Sequence, residues 1–151
     1  MRTFDSVGSL LEAKGDTLGT SSWVEITQQA VDLFADATGD HQWIHVDPDR
    51  AAGGPFGTTI AHGYMTLSLI PRLMAEMYTV NGVKLAINYG LNKVRFPAPV
   101  PVGSKVRATT TVADVEDLGN GTVQMTVVTT VEIDGGAKPA CVAESIVRYL
   151  S

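Results

Sequence analysis

The sequence is poor in the residues on which several protein classes depend. It holds one cysteine, Cys141, in 151 residues, which excludes an internal disulfide and a cysteine-rich zinc module. Lys and Arg number 11 against 16 Asp and Glu, a net charge of −5, which disfavours a general nucleic-acid binder. The longest apolar stretch, Tyr64–Met77, is interrupted and too short to span a bilayer, and the first residues lack a signal-peptide core. We expect a cytoplasmic protein without a membrane or nucleic-acid partner.

What is present indicates one globular domain over residues 1–151. The chain is 44% hydrophobic and 18% charged, and no repeat or linker divides it. Up to about Tyr78 the pattern is helix and loop. A helix is predicted over Gln28–Thr38, with Thr27 as its N-terminal cap and Gly39 as its left-handed stop.

A second helix is predicted from His62–Gly63 to about Tyr78. Its apolar residues cover most of the circumference, which is typical of a buried helix. Pro71 is expected to kink or split it, because proline removes a backbone donor. The segment 39–59 reads as a long loop with at most one helical turn near Asp49–Ala52, and loops of that length are usually functional.

The remainder of the chain is rich in Val, Thr and Ile and predicts strands. Asn120–Gly121 is a strong hairpin pattern. The economical packing is a curled antiparallel sheet around the central hydrophobic helix, an α+β fold. The predicted strands are Val83–Tyr89, Lys93–Phe96, Lys105–Val115, Thr122–Ile133 and Pro139–Leu150.

The densest polar cluster, Gly39–Pro48, opens the long loop. Asp40 and His45 can converge on one small ligand, and a carboxylate with an imidazole can hold a water and move its proton. The plainer alternative is a turn-capping Asp and a structural His. Metal binding by His41, His45 and Asp47 is a further alternative, although no helical spacing supports it.

The second feature is Ile60-Ala61-His62-Gly63, where the loop enters the predicted buried helix. The first N–H groups of a helix have no internal partner, and Gly63 lets a ligand approach closely. A developing oxyanion would be stabilised there. The alternative is that Gly63 only eases entry into the helix.

The third feature, Asn88–Val100, mixes amides, cations and aromatic residues. Lys93 and Arg95 alternate toward one face and could meet the phosphates of an anionic ligand. A solvated strand face is an equally good interpretation of these two cations.

Together the three motifs resemble the MaoC-like (R)-specific enoyl-CoA hydratases, over nearly the whole chain. They are Gly39-Asp40-x-Gln42-x-Ile44-His45-x-Asp47-Pro48, Ile60-Ala61-His62-Gly63-Tyr64, and Arg95-Phe96-x-x-Pro99-Val100-x-x-Gly103. The resemblance implies a single hot-dog domain, with Asp40 and His45 as the catalytic dyad and the Gly63 N–H as oxyanion donor. The substrate-binding residues it implies are Gln42, Ile60, Ala61, His62, Asn88, Tyr89 and Arg95.

The same resemblance implies the reaction, which is reversible hydration of trans-2-enoyl-CoA to (R)-3-hydroxyacyl-CoA. It implies no metal, no cofactor beyond the CoA of the substrate, and a homodimer. The chain departs from the family at Gln42–Trp43, where Asn-Pro is usual, and this affects pocket shape more than reaction type. A thioesterase of the same fold and a non-catalytic acyl-CoA-binding subunit are the alternatives.

Overall fold

A curled antiparallel sheet and one long helix dominate the structure, a computed structural model that describes residues 1–151. The sheet order is β2-β6-β7-β8-β5, with β3 beside β6, while β1 and β4 pair in parallel. A 3₁₀ helix covers Gly8–Glu12. The strands are β1 Arg2–Phe4, β2 Thr17–Thr20, β3 Val24–Glu25, β4 Tyr78–Val80, β5 Leu85–Arg95, β6 Lys105–Gly119, β7 Thr122–Ile133 and β8 Cys141–Leu150. The helices are α1 Gln28–Thr38, α2 Trp43–Val46, α3 Pro48–Ala52 and α4 Gly63–Met74.

Helix α1 forms with the predicted bounds. The Thr27 side chain accepts a hydrogen bond from the Ala30 N–H at 3.1 Å, which satisfies one free donor of the first turn. Gly39 ends the helix in the left-handed conformation, φ 79°, and its N–H donates to the Ala35 carbonyl. After α1 the predicted loop contains two short helices, α2 and α3, rather than one turn.

Helix α4 begins at Gly63 as predicted but ends at Met74, before the predicted end at Tyr78. It continues through Pro71 and stops three residues later, and Tyr78 starts strand β4 instead. The prediction that α4 is buried all round is wrong for the single chain. Leu73 is fully buried, whereas Tyr64 is 71% exposed on the opposite side.

The sheet lies over the buried face of α4, and its three consecutive strands β6, β7 and β8 form an antiparallel meander. Side chains of β7 alternate between buried and partly exposed positions, as expected of a sheet with one covered face. The Thr129 hydroxyl on β7 reaches the Met74 sulfur on α4 at 3.9 Å. At the β6–β7 turn, Asn120 and Gly121 both have positive φ, 53° and 72°, which confirms the hairpin prediction.

The structure also corrects the prediction for strand β5. The segments Val83–Tyr89 and Lys93–Phe96 are parts of one strand, Leu85–Arg95, rather than two strands with a turn between them. Its register against β8 shifts between Asn88 and Gly90 and between Leu91 and Lys93. Glycine inside a strand often marks such a bulge, so Gly90 bends the strand without ending it.

None of the helices combines the length and apolar character needed to cross a membrane.

Candidate active site

Asp40 lies where the chain turns back after α1. The left-handed Gly39 redirects the backbone, and the Asp40 side chain is 56% exposed. The Gln42 N–H donates to the Asp40 carboxylate at 3.4 Å, and Gln42 is the residue directly before α2. One carboxylate oxygen is thus held weakly at the loop surface, and the carboxylate stays open to a ligand.

His45 is the buried member of the pair, 7% exposed, on the single turn of α2. Its Nδ1 lies 2.7 Å from the Ile60 carbonyl oxygen. Because a carbonyl can only accept, Nδ1 carries the hydrogen and Nε2 is the ring nitrogen left for a ligand. The Ile60 N–H in turn donates to the Ile44 carbonyl at 2.9 Å, which ties α2 to the segment that enters α4.

Gln28 supports this arrangement from α1, and the sequence analysis missed it. Its side-chain N–H donates to the His45 carbonyl at 2.7 Å, and its side-chain oxygen accepts from the Thr59 hydroxyl at 2.6 Å. Thr59 is 3% exposed and immediately precedes Ile60. The pairing spans 31 residues of sequence, and no local pattern indicates it.

His62 lies beneath the dyad rather than at its surface. It is 3% exposed, and its Nε2–H donates to the Asp40 backbone carbonyl at 2.9 Å. Its ring stacks on the His45 ring, with centroids 3.8 Å apart and planes inclined by 22°. The Phe34 ring lies at 4.8 Å, and the buried His62 Nδ1 has no hydrogen-bond partner.

Gly63 begins α4 directly after His62. Its N–H has no acceptor among the backbone hydrogen bonds of the chain, while the Met65 and Thr66 N–H groups both donate to the His62 carbonyl. The Phe96 ring lies against Gly63, and a side chain added there would stand 3.1 Å from two ring carbons. The site therefore presents a free donor on a helix N-terminus, at a position where a side chain would have to displace the Phe96 ring by a few tenths of an ångström.

One nitrogen from each of His45 and His62 and an Asp40 oxygen lie within 4.8 Å of one another. The two imidazole planes are nearly parallel at 3.8 Å. A metal bound to imidazole lies in the ring plane, so stacked rings aim past each other, and the geometry disfavours a shared ion.

The metal set considered from sequence does not assemble. His41 is exposed, and Asp36 accepts a hydrogen bond from its Nε2 at 2.9 Å, an interaction that raises the pKa of His41. Asp47 instead caps α3 by accepting from the Arg50 N–H.

The other predicted substrate residues lie in different surroundings. Ala61 is buried, and its N–H donates to the Val100 carbonyl. Asn88 lines a cleft of about 720 Å³ between α4 and the inner face of β5 and β8. Tyr89 lies on the outer face of the sheet, with the Arg148 guanidinium 3.4 Å above its ring. Arg95 ends β5 next to Phe96. These roles in substrate binding stay predictions.

Comparison with known proteins identifies the family of the chain. Residues 10–133 match the family model described as the MaoC like domain. The chain belongs to the MaoC-like family. A full-length MaoC-like relative is 3-hydroxyacyl-thioester dehydratase Z of Mycobacterium tuberculosis H37Rv, 76% identical over 151 residues that cover all of both chains. Nodulation protein N of Rhizobium leguminosarum is 44% identical over 134 residues, 87% of this chain and 83% of that protein.

Solved structures carry the same fold. An (R)-hydratase from A. caviae involved in PHA biosynthesis matches with a TM-score of 0.72 at 26% identity, covering 89% of this chain and 94% of that one. R-hydratase PhaJ1 from Pseudomonas aeruginosa matches with a TM-score of 0.70 at 25% identity, covering 91% and 82%. The expected hot-dog fold of this MaoC-like chain is confirmed.

Proposed function

We propose that this chain adds water reversibly to trans-2-enoyl-CoA, giving (R)-3-hydroxyacyl-CoA. The chain is an enzyme of the hydro-lyase class in fatty acid metabolism, as its family and its full-length dehydratase relative indicate. The observation that carries the proposed chemistry is the hydrogen bond from His45 Nδ1–H to the Ile60 carbonyl, which leaves Nε2 as the ring nitrogen that can accept a proton. A nitrogen of the same ring lies within 4.8 Å of an Asp40 carboxylate oxygen.

The spacing of the dyad suits one water molecule. A His45 ring nitrogen and an Asp40 carboxylate oxygen lie within 4.8 Å of each other. A water that bridges two groups makes a hydrogen bond of about 2.7–3.0 Å to each, so one water fits between them. His45 Nε2 removes one proton as the water oxygen bonds to C3 of the alkene. The second hydrogen stays on the oxygen and donates a hydrogen bond to the Asp40 carboxylate, which also faces the imidazolium that forms. A carboxylate so placed stabilises that charge.

The negative charge then develops on the thioester oxygen. The Gly63 N–H donates to it at the positive end of α4. His45 returns the proton to C2 from the same face, so the water contributes OH to C3 and H to C2 in a syn addition. The dehydration direction is the same sequence reversed. Neither step uses a metal or a cofactor beyond the CoA of the substrate.

The acyl chain lies in the cleft between α4 and strands β5 and β8. Twelve of the 18 residues that line this cleft are hydrophobic, and Asn88 is among the polar ones. Tyr78 and Tyr149 also line the cleft, and their hydroxyls bond to each other. A largely apolar cleft with few polar groups is typical of small-molecule sites.

The enzyme acts as a homodimer in the cytoplasm. Strand β5 has β8 on one side and no strand on the other. A long apolar edge strand is a template for pairing with a second chain. Large apolar side chains are exposed on or beside it: Tyr64, Leu85, Ile87, Tyr89, Leu91 and Phe96.

The test is loss of enoyl-thioester absorbance with crotonyl-CoA and longer trans-2-enoyl-CoAs, run beside a free-thiol assay. Hydration removes the absorbance without releasing thiol, and dependence on chain length measures the cleft. Cys141 is buried, and burial raises the pKa of its thiol to about 11, so the protein contributes little to the thiol signal. Thiol release would indicate a thioesterase, and binding without turnover would indicate a non-catalytic subunit.

A further inference from the structure

We propose that His62 is a positioning residue that supports both members of the dyad from beneath, rather than a residue that contacts substrate. The proposal rests on the proposed function for its kinetic readout. It also predicts a spectroscopic result that does not require turnover.

The first support is a hydrogen bond. The His62 Nε2–H donates to the Asp40 peptide carbonyl at 2.9 Å, while the Asp40 carboxylate stays 4.0 Å from the same nitrogen. His62 therefore holds the backbone of Asp40 and leaves its carboxylate to a ligand. No other hydrogen bond from a side chain reaches this carbonyl, so His62 anchors the turn after α1.

The second support is the ring itself. His62 and His45 stack at 3.8 Å, so the flat face of one imidazole defines the plane in which the other can lie. The Ile60 carbonyl fixes the direction of His45 within that plane. Together the two contacts hold His45 Nε2 in one orientation, and small errors in such orientation slow reactions strongly.

The unpaired Nδ1 of His62 is evidence that the residue does more than fill space. His62 Nδ1 is buried with no partner, and a buried unpaired polar atom is unfavourable for folding. An apolar ring at this position would stack equally well and avoid that cost. The imidazole is therefore explained by its other nitrogen, the one that donates to Asp40.

Two substitutions separate the two contacts of His62, which are the hydrogen bond to Asp40 and the ring stacking on His45. His62→Gln keeps an N–H at the reach of Nε2 and removes the ring, whereas His62→Phe keeps a ring and removes the donor. We expect His62→Phe to lower kcat about 10–100-fold with KM changed less than about threefold. We expect His62→Gln to lower kcat by no more than about fivefold, because the Ile60 carbonyl still holds His45 when the stacked ring is gone. His41→Gln, at the exposed histidine, is the matched control and should leave both constants unchanged.

Imidazole nitrogen NMR provides the readout that is independent of turnover. The wild type should show hydrogen on Nδ1 of His45 and on Nε2 of His62. In His62→Phe we expect the Asp40 amide resonance to shift and broaden, with an unchanged circular dichroism spectrum. If wild-type enzyme turned over no enoyl thioester but gave these NMR signatures, the proposed function would fail and the placement of His62 would stand.

Three results would overturn the positioning role. One is wild-type kcat in His62→Phe. Another is a rise in KM shared by both variants with little change in kcat, which would return His62 to the substrate-binding residues. The third is equal loss of kcat and of thermal stability in both variants, which would make His62 a packing residue only.

Discussion

The two sides of helix α4 differ in how far contacts within one chain provide hydrogen bonds for polar groups and cover apolar side chains. On the dyad side, formed by the turn after α1 and the entry to α4, Gln28, His45 and His62 each have one side-chain nitrogen hydrogen-bonded to a backbone carbonyl of a neighbouring element. On the β5 side, formed by the cleft and the edge strand, large apolar side chains face solvent. This contrast supports the proposal that the dyad is formed within one chain, whereas the β5 side binds the substrate and pairs with a second subunit.

The largest expected effect is on the dyad itself. Asp40→Asn and His45→Gln should each lower kcat for hydration by about 10²–10⁴, because each removes a group that binds or moves the reacting proton. Steady-state kinetics with crotonyl-CoA measures this, and circular dichroism checks the fold. Asp36→Asn, an exposed acid on α1, is the control. Near-normal turnover in either dyad variant would remove that residue from the mechanism.

The next effect concerns the helix entry. Gly63→Ala puts a methyl group 3.1 Å from the Phe96 ring and beside the free N–H, so we expect kcat to fall about 10–100-fold. Gly53→Ala is the matched control, since nothing lies closer than 3.9 Å to a side chain there. An unaltered kcat in Gly63→Ala would show that the thioester oxygen binds elsewhere.

On the β5 side, Ile87→Lys should weaken the dimer at least tenfold and leave the fold of the monomer intact. The side chain is 39% exposed in the single chain, so lysine is tolerated there, but burying its charge between subunits is costly. Sedimentation at micromolar concentration measures the shift. Leu118→Lys, 38% exposed near the β6–β7 turn, is the control. A monomeric wild type would contradict the assignment of this edge.

The smallest expected effect concerns Gln28, which supports the dyad from α1. Gln28→Leu leaves the His45 carbonyl and the Thr59 hydroxyl without their partner, so we expect a loss of about 1–2 kcal/mol of stability and a kcat reduced severalfold. Gln29→Leu, exposed on the same helix, should change neither. Denaturant unfolding and kinetics separate the two contributions, and full stability with unchanged kcat in Gln28→Leu would leave Gln28 without a supporting role at the site.

Much of this architecture could be predicted because it is local. Thr27, Gly39 and the Asn120–Gly121 turn act through contacts within a few residues, and the structure confirms all three. Strand β5 was predicted as two pieces because Gly90 has the same appearance in sequence whether it starts a turn or a bulge. Only pairing with β8 decides between them.

The support of the site could not be predicted, because it is made by contacts between distant residues. The His62 hydrogen bond to Asp40 spans 22 residues, and the Thr59 bond to Gln28 spans 31. Burial of α4 was overestimated for a related reason. Composition reports that a helix is apolar all round, but it does not report whether both faces are covered within one chain.

The position of β8 also bears on how the protein is made. The last strand of the chain lies between β7 and β5, so β5 has no neighbour in the sheet until β8 has left the ribosome. During translation the apolar β5 therefore stays unpaired while β6 and β7 pair as a hairpin. The Tyr78–Tyr149 contact closes only once β8 is in place. The cleft therefore forms only after β8 has paired with β5, and a nascent chain interrupted before β8 would expose β5 to chaperones or to other unfinished chains.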